Sequence, residues 1–189
     1  MPLLLALDPS SRRTGYALCE PWASGKPRIK CGSWSLSEEA TIQERTAEAA
    51  RNLLRITGEH EIAYAFVEIP ISDIHSKEEV VEGNMGPEKR MKVMGNQKTL
   101  TKLWCIHGGM VAVLAALEIP HRCEVARTWR SGVWRGEGNM TKQVALERCR
   151  EVVRRFDIYC ENDDERTAAC MMFFLNGNFT RWALEDKYK

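Results

Sequence analysis

The stretch Leu3-Leu4-Leu5-Ala6-Leu7-Asp8 constrains the fold more than any other part of the chain. Five consecutive apolar residues leave no polar alternation, so a strand here must be covered on both faces, as in the middle of a sheet. The run stops on a carboxylate where the strand leaves the core. That placement is tolerable only if Asp8 meets water, a metal ion or N–H donors. Asp8-Pro9-Ser10-Ser11 is also good turn chemistry, so Asp8 alone reads equally well as a turn aspartate. Apolar character resumes over residues 14–19 after a short connection, and this second strand should run antiparallel to the first.

The same grammar recurs later. Residues 28–36 partly alternate and read as a third strand, at a sheet edge. Ser37, with Glu38 and Glu39 behind it, reads as the cap of a helix running to about residue 57 and stopped by Gly58. Ile42, Ala47, Ala50, Leu53 and Leu54 are expected on its core face. Then Ile62-Ala63-Tyr64-Ala65-Phe66-Val67 forms another apolar strand that ends on an acid, Glu68, followed by Ile69-Pro70. A strand reached through a crossover helix lies parallel to the first. Asp8 and Glu68 should therefore emerge at the same end of neighbouring strands.

Residues 72–95 show no clean periodicity and read as a long loop. Helical spacing returns over residues 96–117, with Leu100, Leu103, Trp104, His107, Val111, Leu114 and Ala115 as core candidates. Gly108-Gly109 inside it suggests close packing against the sheet. Residues 120–125 form a fifth strand. Trp129, Arg130, Trp134, Gly136 and Gly138 occupy a short helix or turn with a glycine-rich loop. Thr141 caps a helix that starts at Lys142 and ends near Phe156, with Arg148, Arg150, Arg154 and Arg155 as its solvated face. Asp163-Asp164-Glu165 opens a last, almost wholly apolar helix ending near Leu175, and residues 176–189 read as a polar tail.

Length suits one domain, residues 1–175, with residues 176–189 as the tail. A net charge of +1 does not by itself argue for nucleic acid, but basic residues gather in 89–102 and 122–155, and a neutral chain can carry one basic face. Seven scattered cysteines without a C-x-x-C pair suit a reducing, cytoplasmic setting and not a disulfide framework or zinc site. No apolar run reaches the ~20 residues of a bilayer span, and no basic lead-in marks a signal peptide, so no membrane partner is expected.

The order β-β-β-α-β-α-β-α-α, with acids at two strand ends and at the start of the last helix, resembles the ribonuclease H-like superfamily. More closely it resembles the RuvC-type Holliday junction resolvases. The resemblance rests on Leu5-Ala6-Leu7-Asp8-Pro9-Ser10-Ser11-Arg12-Arg13-Thr14-Gly15-Tyr16, on Phe66-Val67-Glu68, on the helix with the glycine pair, on Gly136-x-Gly138 with Lys142 after it, and on Asp164-Glu165-Arg166-Thr167-Ala168-Ala169. It implies an α/β fold with a five-stranded mixed sheet, the first three strands antiparallel, flanked by helices. It also implies a Mg²⁺-dependent endonuclease, with Mn²⁺ able to substitute and two ions per site, that cuts four-way DNA junctions as a homodimer.

By the same resemblance Asp8, Glu68 and Asp164 are metal ligands and catalytic; the fourth ligand is open, with Asp163 or Glu165 as candidates to complete the set. Lys142 is catalytic and, with Arg130, Arg12 and Arg13, contacts DNA. The chemistry is consistent: two-metal phosphodiester hydrolysis needs several carboxylates around ions ~3.5–4 Å apart, and Mg²⁺ prefers carboxylate, water and phosphate oxygens. Two positions depart from the family. A second acid is usual one turn into the last helix, where this chain has Thr167. The aromatic wedge that often follows the strand-end glutamate is replaced by Ile71, an aliphatic side chain that can still part base steps.

Other readings are a junction-binding protein without cleavage, and another ribonuclease H-like nuclease. An ATP-binding protein of the actin or sugar-kinase type would need a second Asp-x-Gly hairpin, which the sequence lacks, and a longer chain. Asp163 and Asp164 also read as plain helix-start acids, and Trp129 and Trp134 as core residues.

Overall fold

The computed structural model describes residues 1–70, 75–83, 86–94 and 97–187. Leu3–Asp8 is strand β1, and its Leu4, Leu5, Ala6 and Leu7 are all fully buried. Side chains alternate across a strand, so Leu4 and Ala6 enter one core layer while Leu5 and Leu7 enter the other. β2 (Arg13–Cys19) and β3 (Lys30–Ser35) follow as an antiparallel meander. Helix α1 (Ile42–Glu59) crosses over to β4 (Ile62–Ile69), which pairs parallel with β1.

β5 (His75–Gly83) and β6 (Gly86–Met94) form a separate two-stranded antiparallel sheet. Helix α2 (Gln97–Ala116) leads to β7 (His121–Val125), parallel to β4, and the main sheet has the order β3-β2-β1-β4-β7. Helices α3 (Ala126–Val133), α4 (Lys142–Phe156) and α5 (Asp163–Lys187) complete the chain. The main sheet is thus the expected five-stranded mixed one, its first three strands antiparallel.

The two faces are covered by different helices. Ala168, Met171, Met172, Leu175 and Trp182 of α5 pack on Leu4, Ala6, Tyr64 and Phe66. Ala49, Leu53 and Ile56 of α1, with Ile106, Met110 and Leu114 of α2, pack on Leu5, Leu7, Ala65 and Val67. Leu4, Leu5 and Leu7 of β1 each contribute ~1.5–3 kcal/mol by this burial.

Several expectations are corrected. The cap of α1 is Thr41, not Ser37: Thr41 and Glu44 form a reciprocal capping box, which satisfies two N–H groups at once. The buried face of α1 is Arg45, Ala49, Leu53 and Ile56, at spacings of four, four and three, while Leu54 is exposed. Gly109 serves contact with α1 and not with the sheet, since a Cβ there would stand 2.6 Å from Thr46 Cγ2.

The stretch read as a long loop contains the β5–β6 hairpin, whose register runs from His75↔Met94 to Gly83↔Gly86. Both strands are charge-rich, so no apolar alternation announces them. Trp104 and Ala115, expected in the core, are exposed. Thr99–Ala116, of mean hydropathy 1.3, is long and apolar enough to cross a bilayer by composition, yet Ile106, Met110 and Leu114 within it are core residues here.

The C-terminal segment is not a loose tail. α5 continues to Lys187, and Trp182 is buried, stacking on Phe66 at 6.0 Å and lying under the Arg122 guanidinium at 5.3 Å. Tyr64 Oη donates to Asp186 at 2.7 Å. Polar Asn176 is explained by two bonds to the Trp22 backbone, at 3.0 and 2.9 Å. Trp182→Ala should therefore cost about 3–5 kcal/mol, seen as a lower midpoint in chemical denaturation; an unchanged midpoint would restore the loose-tail reading.

Candidate active site

Three elements deliver three carboxylates to one end of the sheet. β1 ends at Asp8, and the parallel register Leu7↔Val67 carries Glu68 of β4 to the neighbouring position. The antiparallel register places Gly15 of β2 opposite Asp8 on the other side. Gly15 is what admits the third acid, because a Cβ on it would lie 2.2 Å from the Asp164 carbonyl oxygen. Backbone cannot yield to a side chain as a flexible rotamer does, so only glycine lets the start of α5 settle here.

The carboxylates act on one another. Burial raises the Asp8 pKa well above the ordinary range, and the negative charges of Glu68 and Asp164 raise it further, against the opposing Lys142 charge. Burial also raises Glu68, moderated by the Trp129 hydrogen bond and by Arg130 and Lys142. Asp164 is raised by burial too, opposed by Arg13 and Lys142. Lys142, in the first turn of α4 behind the Thr141 cap, therefore faces all three acids.

Among the described residues no trio of Asp, Glu, His or Cys closes into a ready-made cage. The mutually repelling, all-oxygen donor set nevertheless fits a hard divalent cation, which would relieve the repulsion.

Neighbouring groups hold this arrangement. Fully buried Trp129 donates its indole N–H to Glu68 Oε2 at 2.6 Å. The Arg130 guanidinium lies 5.4 Å over the Trp129 ring, and its buried Nε has no hydrogen-bond partner among the described residues. Buried Glu165 fixes the start of α5. Its Oε1 accepts from Ser33 Oγ at 2.7 Å and Asn162 Nδ2 at 2.9 Å, and its Oε2 accepts from the Glu161 backbone N–H at 2.7 Å. In return Asn162 Oδ1 accepts from the Glu165 N–H at 3.1 Å, making Asn162 the cap.

The remaining expected residues lie elsewhere. Asp163 is held by two guanidiniums, Arg150 at 2.8 and 3.2 Å and Arg166 at 2.7 Å, and these hold its pKa below the ordinary range. Both its oxygens are engaged, which explains why it does not join the acids of the site. Arg12 is drawn to Glu38 at 3.5 Å. Arg13 reaches the cluster electrostatically through Asp164. Ile71 lies outside the described residues. Thr167 is buried and donates to the Asp163 carbonyl at 2.9 Å, so it contributes no acid. Sequence reasoning missed Trp129 as the partner of Glu68 and Glu165 as a clamp. The Asn162-x-x-Glu165 spacing was the available signal for the clamp.

These strands, helices and converging acids define a ribonuclease H-like fold in its RuvC form. RuvC from Thermus thermophilus superposes with a TM-score of 0.65 at 12% identity, covering 94% of this chain and 97% of that one. T. thermophilus RuvC in complex with a Holliday junction substrate gives 0.63 at 11%, covering 92% and 94%. The yeast mitochondrial Holliday junction resolvase Ydc2 gives 0.55 at 10%, covering 98% and 82%. No family model and no curated protein matches the sequence.

Trp129→Phe keeps the ring packing but removes the N–H that favours the charged form of Glu68. The Glu68 pKa should then rise, followed by carbon-13 NMR titration of its carboxyl; an unshifted titration would show that the 2.6 Å bond does not hold that carboxylate.

Proposed function

We propose that the chain is a divalent-metal-dependent endonuclease that cuts branched DNA, with the four-way junction as its substrate. The observation that carries this reading is the meeting of Asp8, Glu68 and Asp164 at one end of a sheet whose fold is that of solved Holliday junction resolvases. We assign these three acids as ligands for two Mg²⁺ ions, which Mn²⁺ can replace, and leave Asp163 out because its oxygens are held by Arg150 and Arg166. Held by these acids, such ions would supply an activated water and charge to stabilise the leaving oxygen.

The chain's own groups do the rest. Trp129 orients Glu68. Lys142 offsets the negative charge of the cluster and receives a phosphate oxygen. The unpartnered Nε of Arg130 is a donor ready for the same phosphate, and Arg13 draws the strand toward Asp164. Seven cysteines, all thiols, suit a reducing cytoplasmic setting.

Paired nicks across a junction need two sites, which a symmetric dimer supplies. The exposed indole of Trp104 on α2, 46% accessible, marks the surface for the second copy. Trp104→Glu should shift the species seen in sedimentation from dimer to monomer; a wild-type protein that is monomeric at every concentration overturns this assignment.

Asp8→Asn should reduce cleavage of a synthetic four-way junction in Mg²⁺ by more than ~10²-fold while leaving DNA binding in place. Wild-type cleavage by this variant would sink the nuclease reading. The raised carboxyl pKa values give a second check. Without metal, Asp8 and Glu68 hold protons in the folded state that the unfolded chain has released, so the stability these two acids contribute is fully present at low pH and is lost as pH rises through their raised values. Added Mg²⁺ should therefore raise Tm more at pH 8 than at pH 5, and Asp8→Asn should remove most of that difference.

A second reading is a junction-binding protein that does not cut. It is favoured by Thr167, whose hydroxyl is bonded to backbone where the family has an acid. Binding that survives EDTA, with no nicking in Mg²⁺ or Mn²⁺, would select it.

A further inference from the structure

An open pocket of about 430 Å³ is lined by Ser11, Arg12, Glu38, Arg45, Thr99 and Lys102, with none of the three acids in its lining. It forms where the β1–β2 turn, the segment before α1 and the first turns of α2 meet. Arg45 builds its wall. This residue is 7% exposed, and each arm of its guanidinium donates to a backbone carbonyl: Nε to Ala40 at 3.1 Å, one terminal nitrogen to Ser11 at 2.9 Å, the other to Glu38. Among the described residues it has no carboxylate partner. A buried cation held only by neutral carbonyls is costly unless an anion arrives.

Lys102 is exposed and likewise has no ion-pair partner among the described residues. Glu38 is the single carboxylate in the lining, and it meets Arg12 at 3.5 Å with both side chains largely in solvent. Such an exposed pair is weak and readily exchanged. Three cations thus face one loosely held acid, in a pocket whose floor carbonyls are already engaged.

We propose that this pocket is a second phosphate subsite for a DNA strand, beyond the scissile phosphate, with Arg12 and Lys102 as the contacts. Arg45 shapes the pocket and supplies charge without touching DNA. Glu38 is an internal stand-in for the phosphate, displaced from Arg12 when a backbone phosphodiester enters. Ser11 and Arg12 follow Asp8 by three and four residues, so a strand seated here is also held in register with the acids. The inference deepens the nuclease reading and rests on it.

The test is binding of a labelled four-way junction to the full chain in EDTA, by fluorescence anisotropy across a salt series. Lys102→Ala should weaken binding about 3–10-fold and reduce the slope of log K against log salt by about one, the loss of one phosphate contact. Glu38→Gln should act in the opposite direction and tighten binding. Lys30→Ala, on the edge strand away from the pocket, should leave the slope unchanged. Wild-type Tm in the Lys102 and Glu38 variants separates contact from folding. If both variants bind with wild-type affinity and slope, the subsite is wrong while the nuclease reading stands. If the wild-type chain binds no DNA at any salt, both fall together.

Discussion

The site depends on a side chain that is missing. Gly15 stands opposite Asp8 in the hairpin, and the space a Cβ would fill is taken by the Asp164 carbonyl. Without that approach α5 would start farther from the sheet, and two acids would face the strand end instead of three. The approach is then secured from outside by Glu165, which ties the start of α5 to Ser33 on the edge strand, and by the Asn162 cap. A hairpin glycine, a buried glutamate and a capping asparagine thus place one aspartate.

The electrostatics follow from that placement. Three acids brought together at the rim of an apolar core oppose their own ionisation, and the protein tolerates them because Lys142, Arg130 and Arg13 surround them. The overall charge of +1 conceals this arrangement, in which a negative centre sits inside a positive frame. Local destabilisation of this kind clusters at functional sites, where the surrounding fold over-determines the geometry.

Much of the fold was legible because burial writes itself into periodicity. β1 and β4 are apolar on both faces, so their position in the sheet and the acids at their ends could be read directly. α4 was bounded correctly by its threonine cap and its apolar spacing. What escaped was structure maintained by polar contacts. Asn176, Asn178 and Arg181 break the apolar run of α5, but Leu175, Phe179 and Trp182 continue its buried stripe at spacings of four and three, and Asn176 is polar because it serves the Trp22 backbone. Residue type did not separate Asp163 from Asp164. Which of two adjacent acids meets the arginines of α4 and α5, and which meets Asp8, is decided by the helix phase that the Gly15 contact imposes.

The 25 residues of α5 span about 37 Å at 1.5 Å per residue. One end carries Asp164, and the other is pinned through Trp182 and Asp186 to Phe66 and Tyr64 on the same strand that carries Glu68. The helix is therefore fastened to the sheet at two separated places, its start to β2 and β3 and its end to β4, like a strut bolted to a beam. Fraying of the first turn cannot easily swing Asp164 aside, because Glu165 closes that route. The distance between the acids of β4 and α5 changes only if the whole strut tilts, so the aromatic cluster at its far end sets the stiffness of the site.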